Sequence, residues 1–219
     1  MEKNRVKFDR LRFSVRLKHV VFPIELRELL DTLSKAGYSL NPKIISPLPP
    51  VRISIVGPIA TKADYIVDVN SDMGVLAIEG KSEAVLTEFD ELESLIKNKL
   101  NVDISEGVQF YEAFAYLTIF SEKNPIEKMG KIFESIEETI KFSDVLGEDV
   151  SVFTVKFASK GKIPNQEEWF EFSIEPAPLR PINEYHAIIV YRGTNKLKVQ
   201  KFVQELRNKT LKVVELIEK

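Results

Sequence analysis

Leu11-Arg12-Phe13-Ser14-Val15-Arg16-Leu17-Lys18 decides how this chain folds. Leu11, Phe13, Val15 and Leu17 alternate with Arg12, Ser14, Arg16 and Lys18, the period of a strand that buries one face and leaves the other polar and basic. Working outward, Pro23 opens a run with apolar residues at Ile24, Leu26, Leu29, Leu30 and Leu33, the spacing of an amphipathic helix, which Gly37 closes. A turn-rich segment, 41–50, leads to three predicted strands at 51–56, 63–69 and 75–79. Ser82 then caps a second helix whose Val85, Phe89, Leu92, Leu95, Ile96 and Leu100 share one side.

The same order of events recurs downstream. Phe110 to Phe120 reads as a long aromatic-rich strand, and Asn124-Pro125-Ile126-Glu127 starts a helix in the manner of a capping box. Strands are predicted at 150–158, 169–174 and 185–191, and Thr194 or Asn195 caps a final helix running through Phe202, Val203, Leu206, Val213, Val214 and Ile217. The chain therefore divides into two similar β-α-β-β-β-α repeats, 1–103 and 104–219. The fold class is α+β, with the two halves joined into one curved antiparallel sheet and the helices on one face.

At 219 residues with 44% hydrophobic and 29% charged side chains, the composition supports a sizeable core and excludes disorder. There is no cysteine, which removes disulfides, thiolate metal sites and cysteine nucleophiles, and sets the cytoplasm as the expected location. No apolar stretch is long enough to span a membrane, and the charged start lacks the apolar core of a signal peptide, so no membrane association is expected. Gly-x-Ser-x-Gly, the phosphate loop and Gly-x-Gly-x-x-Gly are all missing. The two histidines, His19 and His186, lie far apart without ligand spacing, and structural roles are expected for both. Asp68, Asn70, Asp72 and Glu79 imitate a calcium loop, but the glycine falls one place late at Gly74 and the flanks read as strands, so a hairpin turn is expected. No catalytic residue, no metal site and no cofactor is assigned.

Charge is distributed unevenly. Residues 1–62 carry 12 basic and 5 acidic side chains, residues 63–103 carry 3 and 10, and the formal net charge is −2. If the first two strands are neighbours, Arg12, Arg16, Lys18 and Arg52 share a solvent face with Ser14 and Ser54 and form a surface for nucleic acid or another anionic group. Phe110, Phe114, Tyr116 and Phe120 share one face of their strand and are expected in the core. Trp169 alternates with Glu171, Ser173 and Glu175, which places it on the wetter face as an aromatic anchor. Lys196, Lys198, Lys201, Arg207, Lys209 and Lys212 read as a solvated helix face.

The element order and the stretch from Met73 to Glu83, Met-Gly-Val-Leu-Ala-Ile-Glu-Gly-Lys-Ser-Glu, resemble the TATA-box-binding protein family. That family has a Gly-Lys strand ending in glycine, then Ala-Lys-Ser-Glu and a long helix; Val190 to Lys196 is a weaker echo before the last helix. The resemblance implies a saddle-shaped sheet beneath four helices. It does not extend to recognition of the TATA box, which depends on phenylalanine wedges between base steps, because the corresponding segment here is Ile66-Val67-Asp68-Val69-Asn70. The function expected is non-enzymatic binding of nucleic acid or a protein partner on an exposed sheet surface. The alternative is a small-molecule binder or enzyme with a pocket between the C-terminal helix and the second half-sheet, signalled by His186 or Glu171. The open edges of the half-sheets also leave room for a homodimer.

Overall fold

The computed structural model describes residues 5–18, 22–45, 55–132 and 137–219. The first half contains β1 (Val6–Leu17), α1 (Leu26–Lys35), β2 (Ser39–Leu40), α2 (Pro42–Ile45), β3 (Val56–Lys62), β4 (Tyr65–Asn70), β5 (Val75–Gly80) and α3 (Val85–Leu100). The second contains β6 (Val108–Phe120), α4 (Pro125–Ile132), α5 (Glu137–Leu146), β7 (Val155–Ala158), β8 (Trp169–Pro176), β9 (Glu184–Gly193), α6 (Lys196–Gln204) and α7 (Leu206–Ile217). The strands form one open, curved antiparallel sheet in the order β2-β3-β4-β5-β1-β6-β9-β8-β7. Outward from the central β1–β6 pair, β5, β4 and β3 on one side match β9, β8 and β7 on the other.

Alternation along β1 does what its sequence requires. Leu11, Phe13, Val15 and Leu17 are buried beneath the helices, while Arg10, Arg12, Ser14 and Arg16 point to the opposite, helix-free face. Phe13 meets Phe89 of α3 edge to face with ring centroids 4.9 Å apart and stacks on Tyr111 of β6 at 6.1 Å. In the second half Tyr191 stacks on Phe202 of α6 at 4.1 Å. Burying a side chain of this size contributes roughly 1.5–3 kcal/mol, so these rings fix the helices to one side of the sheet.

The helix layer also joins the halves. Lys196 pairs with Asp90 at 2.6 Å and with Glu93, and Gln200 donates to Asp90 at 2.9 Å, tying α6 to α3. Arg207 of α7 donates to Glu83 at 2.6 Å and to the Val6 carbonyl, with its guanidinium 4.7 Å from the centre of the Phe8 ring. The expected solvated basic stripe is thus corrected at Lys196 and Arg207, which carry ion pairs between the halves. The single last helix is corrected as well: it breaks at Glu205 into α6 and α7. Among the described residues, no helix is long and apolar enough to cross a membrane.

Local signals held or failed for identifiable reasons. Asn195 caps α6 by accepting from the Lys198 amide, and Asn124 accepts from the Ile126 amide at the start of α4. The β4–β5 connection is a hairpin turn in which Asn70 accepts from the Met73 amide at 2.9 Å and Gly74 takes a positive φ of 64°. The helix expected from Pro23 begins later, capped by Glu25, and α3 begins at Val85, three residues after Ser82. The strand expected at 51–56 falls largely outside the described residues; the strand found is 56–62, through Gly57-Pro58. Pro58 fits there because the β3–β4 register shifts between Pro58 and Ala60, an irregularity that tolerates a missing N–H.

Three positions yield tests of this architecture. A Cβ on Gly80 would lie 2.8 Å from Tyr65 Cδ1 and 2.9 Å from Val85 Cγ2, so Gly80→Ala is expected to cost about 1–3 kcal/mol by overpacking in a denaturant melt. Ala63, in the β3–β4 turn, has φ 51°, and Ala63→Gly is expected to stabilise the protein by about 1 kcal/mol. At the junction of the halves, hydrogen bonds first from Lys97 and then from the Ser105 hydroxyl and amide lower the Asp103 carboxyl to about 2. A depressed carboxylate stabilises the folded state above its ordinary pKa near ~4, and that contribution is lost as pH falls from about 4 to about 2. Asp103→Asn is therefore expected to melt below the parent protein at about pH 6, with the gap closing across that acid window.

Candidate interaction surface

Antiparallel register places residues from β4, β5, β1, β6, β9 and β8 side by side on the helix-free face. Arg16 lies opposite Phe110, Ser14 opposite Glu112, Arg12 opposite Phe114 and Arg10 opposite Tyr116. Across the next seam Glu112 faces Arg192, Phe114 faces Val190 and Thr118 faces His186; beyond it, Arg192 faces Trp169 and His186 faces Glu175. The basic residues of β1 and the aromatic residues of β6, which belong to different halves in sequence, thus form one surface.

Most of its charges are compensated in place. Arg12 pairs with Asp68 at 2.7 Å and Arg10 with Glu79 at 2.5 Å, both along sheet diagonals. Arg192 holds Glu112 through two of its nitrogens and donates with a third to the carbonyls of Pro164 and Gln166 at 2.7 and 3.1 Å. Lys156 pairs with Glu171 at 2.7 Å, and Thr118 donates to Asp9 at 2.6 Å. Arg16 differs: among the described residues it has no carboxylate partner, and its guanidinium sits 5.7 Å from the centre of the Phe110 ring, with Arg192 at 4.4 Å from the same centre.

Beside these pairs lies a cluster of rings. Phe114 meets Tyr116 edge to face at 4.8 Å, Tyr116 stacks on His186 at 5.6 Å with an interplanar angle of 8°, and Arg10 stands 5.8 Å from the centre of Phe114. Phe114, Tyr116 and His186 are half-buried, and Phe120 is 40% exposed. The expectation that the β6 aromatics are core is corrected here. The opposite side of β6, with Tyr111, Ala113, Ala115, Leu117 and Ile119, fills the core, and only Phe110 of the outer set is buried, beneath the two arginines.

Of the expected anion-binding residues, Arg12 and Arg16 share this face, Lys18 stands exposed at the end of β1, and Arg52 lies outside the described residues, as does His19. Arg12 is half of an ion pair with Asp68 on this face. Trp169 is on the expected face but only 8% exposed; it follows the segment that Arg192 draws against this end of the sheet, and its ring is not a free anchor. His186 and Glu171 lie on the helix-free face, away from α7, so neither lines a space between the C-terminal helix and the sheet. Among the described residues no group of three His, Asp or Glu side chains is placed to hold a metal ion. Arg10, Arg192, Phe114 and Tyr116 were missed as surface residues because their grouping depends on the β1–β6 and β6–β9 registers.

Arg192 and Arg16 occupy the same patch with opposite structural duties, which a pair of variants separates. Arg192→Ala leaves Glu112 and two carbonyls without their donor and is expected to cost about 2–3 kcal/mol, with faster amide exchange over 163–168. Arg16→Ala is expected to change stability by no more than about 0.5 kcal/mol in the same melts. Compared with known proteins, the chain matches no family model and no curated protein, so its reading rests on this surface.

Proposed function

We propose that this chain is a non-enzymatic binding protein that recognises a protein partner through the helix-free face of its sheet. The observation that carries this reading is the compensation of Arg10, Arg12 and Arg192 by Glu79, Asp68 and Glu112 beside a half-exposed ring cluster. Nucleic-acid affinity comes largely from cations that displace counterions from phosphates. Arginines already neutralised by neighbouring carboxylates, on a face that also carries Asp9, Glu171 and Glu175, supply little of that. Rings and arginine with a balanced charge are instead what the central residues of protein interfaces offer. The strand order about β1 and β6 supports an architectural likeness to TATA-box-binding proteins; Asp68, in the segment that lacks their aromatic wedge, here neutralises Arg12.

A photo-crosslinking residue at Tyr116 is expected to capture a defined protein, whereas the same residue at Lys212 on the helix layer captures none. Arg16→Ala is expected to weaken that complex about tenfold or more, near 1.4 kcal/mol. Retention of labelled single- or double-stranded DNA or RNA that falls steeply with salt and with Arg16→Ala would replace the protein partner by a nucleic acid.

A further inference from the structure

The two edges of the sheet are protected unequally. At one end β2 has only two residues, and Pro42 opens α2 two positions after it. At the other end β7 presents Val155–Ala158 with no proline and no register shift against β8. The Ser159 amide donates to the Phe170 carbonyl, so by the alternation of a strand the N–H and C=O groups of Val155 and Phe157 also face β8. Those of Lys156 and Ala158 face outward, an open template for another strand. Two large apolar side chains meet solvent along this edge, Phe157 at 50% exposure and Phe153, just before the strand, at 51%, and between them Lys156 is held to Glu171 at 2.7 Å.

We infer that the occupant of this edge is a second copy of the chain, paired antiparallel through β7 about a twofold axis at Phe157. Such an axis keeps each side chain on its own face of the merged sheet. Lys156 then exchanges both main-chain hydrogen bonds with Ala158 of the other copy, and Phe157 meets its own counterpart in a non-hydrogen-bonded pair, where side chains are closest. Charge selects this register. An axis at Lys156 opposes lysine to lysine directly, and an axis at Ala158 sets Lys156 against Lys160. An axis at Val155 pairs the outward groups of Lys156 with Thr154, which precedes the strand, whereas the Phe157 axis keeps that hydrogen-bonded pair, Lys156 with Ala158, within it. The Phe157 axis instead brings Lys160, exposed at the end of β7, opposite Thr154, whose hydroxyl holds the Glu175 carboxylate at 2.9 Å. Lysine of one copy thereby faces glutamate of the other. The two sheets become one, and the helix-free face doubles in extent.

The absence of native cysteine makes a direct test clean. A non-hydrogen-bonded antiparallel pair has its Cα atoms about 4.5 Å apart, within the range a disulfide spans. Phe157→Cys is expected to form a covalent dimer on mild oxidation, whereas Leu197→Cys, more exposed at 74% but on α6, stays monomeric. Sedimentation of the unmodified protein from about 1 to 100 μM is expected to show monomer–dimer exchange. Lys156→Pro, which deletes an outward N–H without touching the β7–β8 ladder, is expected to weaken the dimer at least about tenfold, while Lys156→Ala, which keeps that N–H, leaves a dimer. A monomer throughout that range, or Phe157→Cys crosslinking no faster than Leu197→Cys in folded protein as judged by circular dichroism, overturns the inference.

Discussion

The antiparallel pairing of β1 with β6 is the constraint on which the rest of the molecule depends. It joins the first strand of each half in the middle of the sheet, from Val6 opposite Ile119 to Leu17 opposite Val108. A one-residue slip in that register would exchange the core side of β1 for its arginine side. The slip is opposed on both faces at once, by Phe13 between Phe89 and Tyr111 beneath the helices and by Ser14, which donates to the Glu112 carbonyl, on the other side.

From that seam the candidate surface follows without further assumptions. β1 supplies guanidinium groups at alternate positions and β6 supplies rings at alternate positions, so the pairing sets them in rows. The acidic segment 63–103, which balances the basic start of the chain in sequence, balances it in space too, because β5 pairs with β1 and β4 lies next beyond it, so Glu79 and Asp68 reach the β1 arginines from one side. The net result is a face rich in planar groups and poor in free charge. A surface of that kind discriminates by shape and ring contact more than by long-range attraction.

How much of this the sequence discloses depends on whether a signal is local. The amphipathic alternation of β1, the Asn195 cap and the Asn70–Gly74 turn are readable because each rests on neighbours within a few residues. β6 is not, since Phe110, Phe114 and Tyr116 on one side are as apolar as Tyr111, Leu117 and Ile119 on the other, and periodicity alone cannot say which side meets helices. Gly57-Pro58, between the strands expected at 51–56 and 63–69, lies within β3, where the register shift absorbs the missing N–H. Trp169 is assigned to the correct face by its polar neighbours, yet it is buried there, opposite Arg192, and that burial has no signature in the alternation of β8. The pairing of Arg12 with Asp68 likewise joins residues 56 positions apart.

The hydrogen bond from Arg207 to the carbonyl of Val6 spans 201 positions, close to the whole chain. Together with a central seam between strands roughly a hundred residues apart, it gives the molecule a high contact order, and topologies of this kind fold slowly because long loops must close before their contacts form. During synthesis β1 emerges before β5 and β6 and waits for both before its two edges are covered. Over that interval its row of Leu11, Phe13, Val15 and Leu17 is an adhesive strip on a nascent chain, and the arginines interleaved with it act as gatekeepers that keep it soluble until its partners emerge.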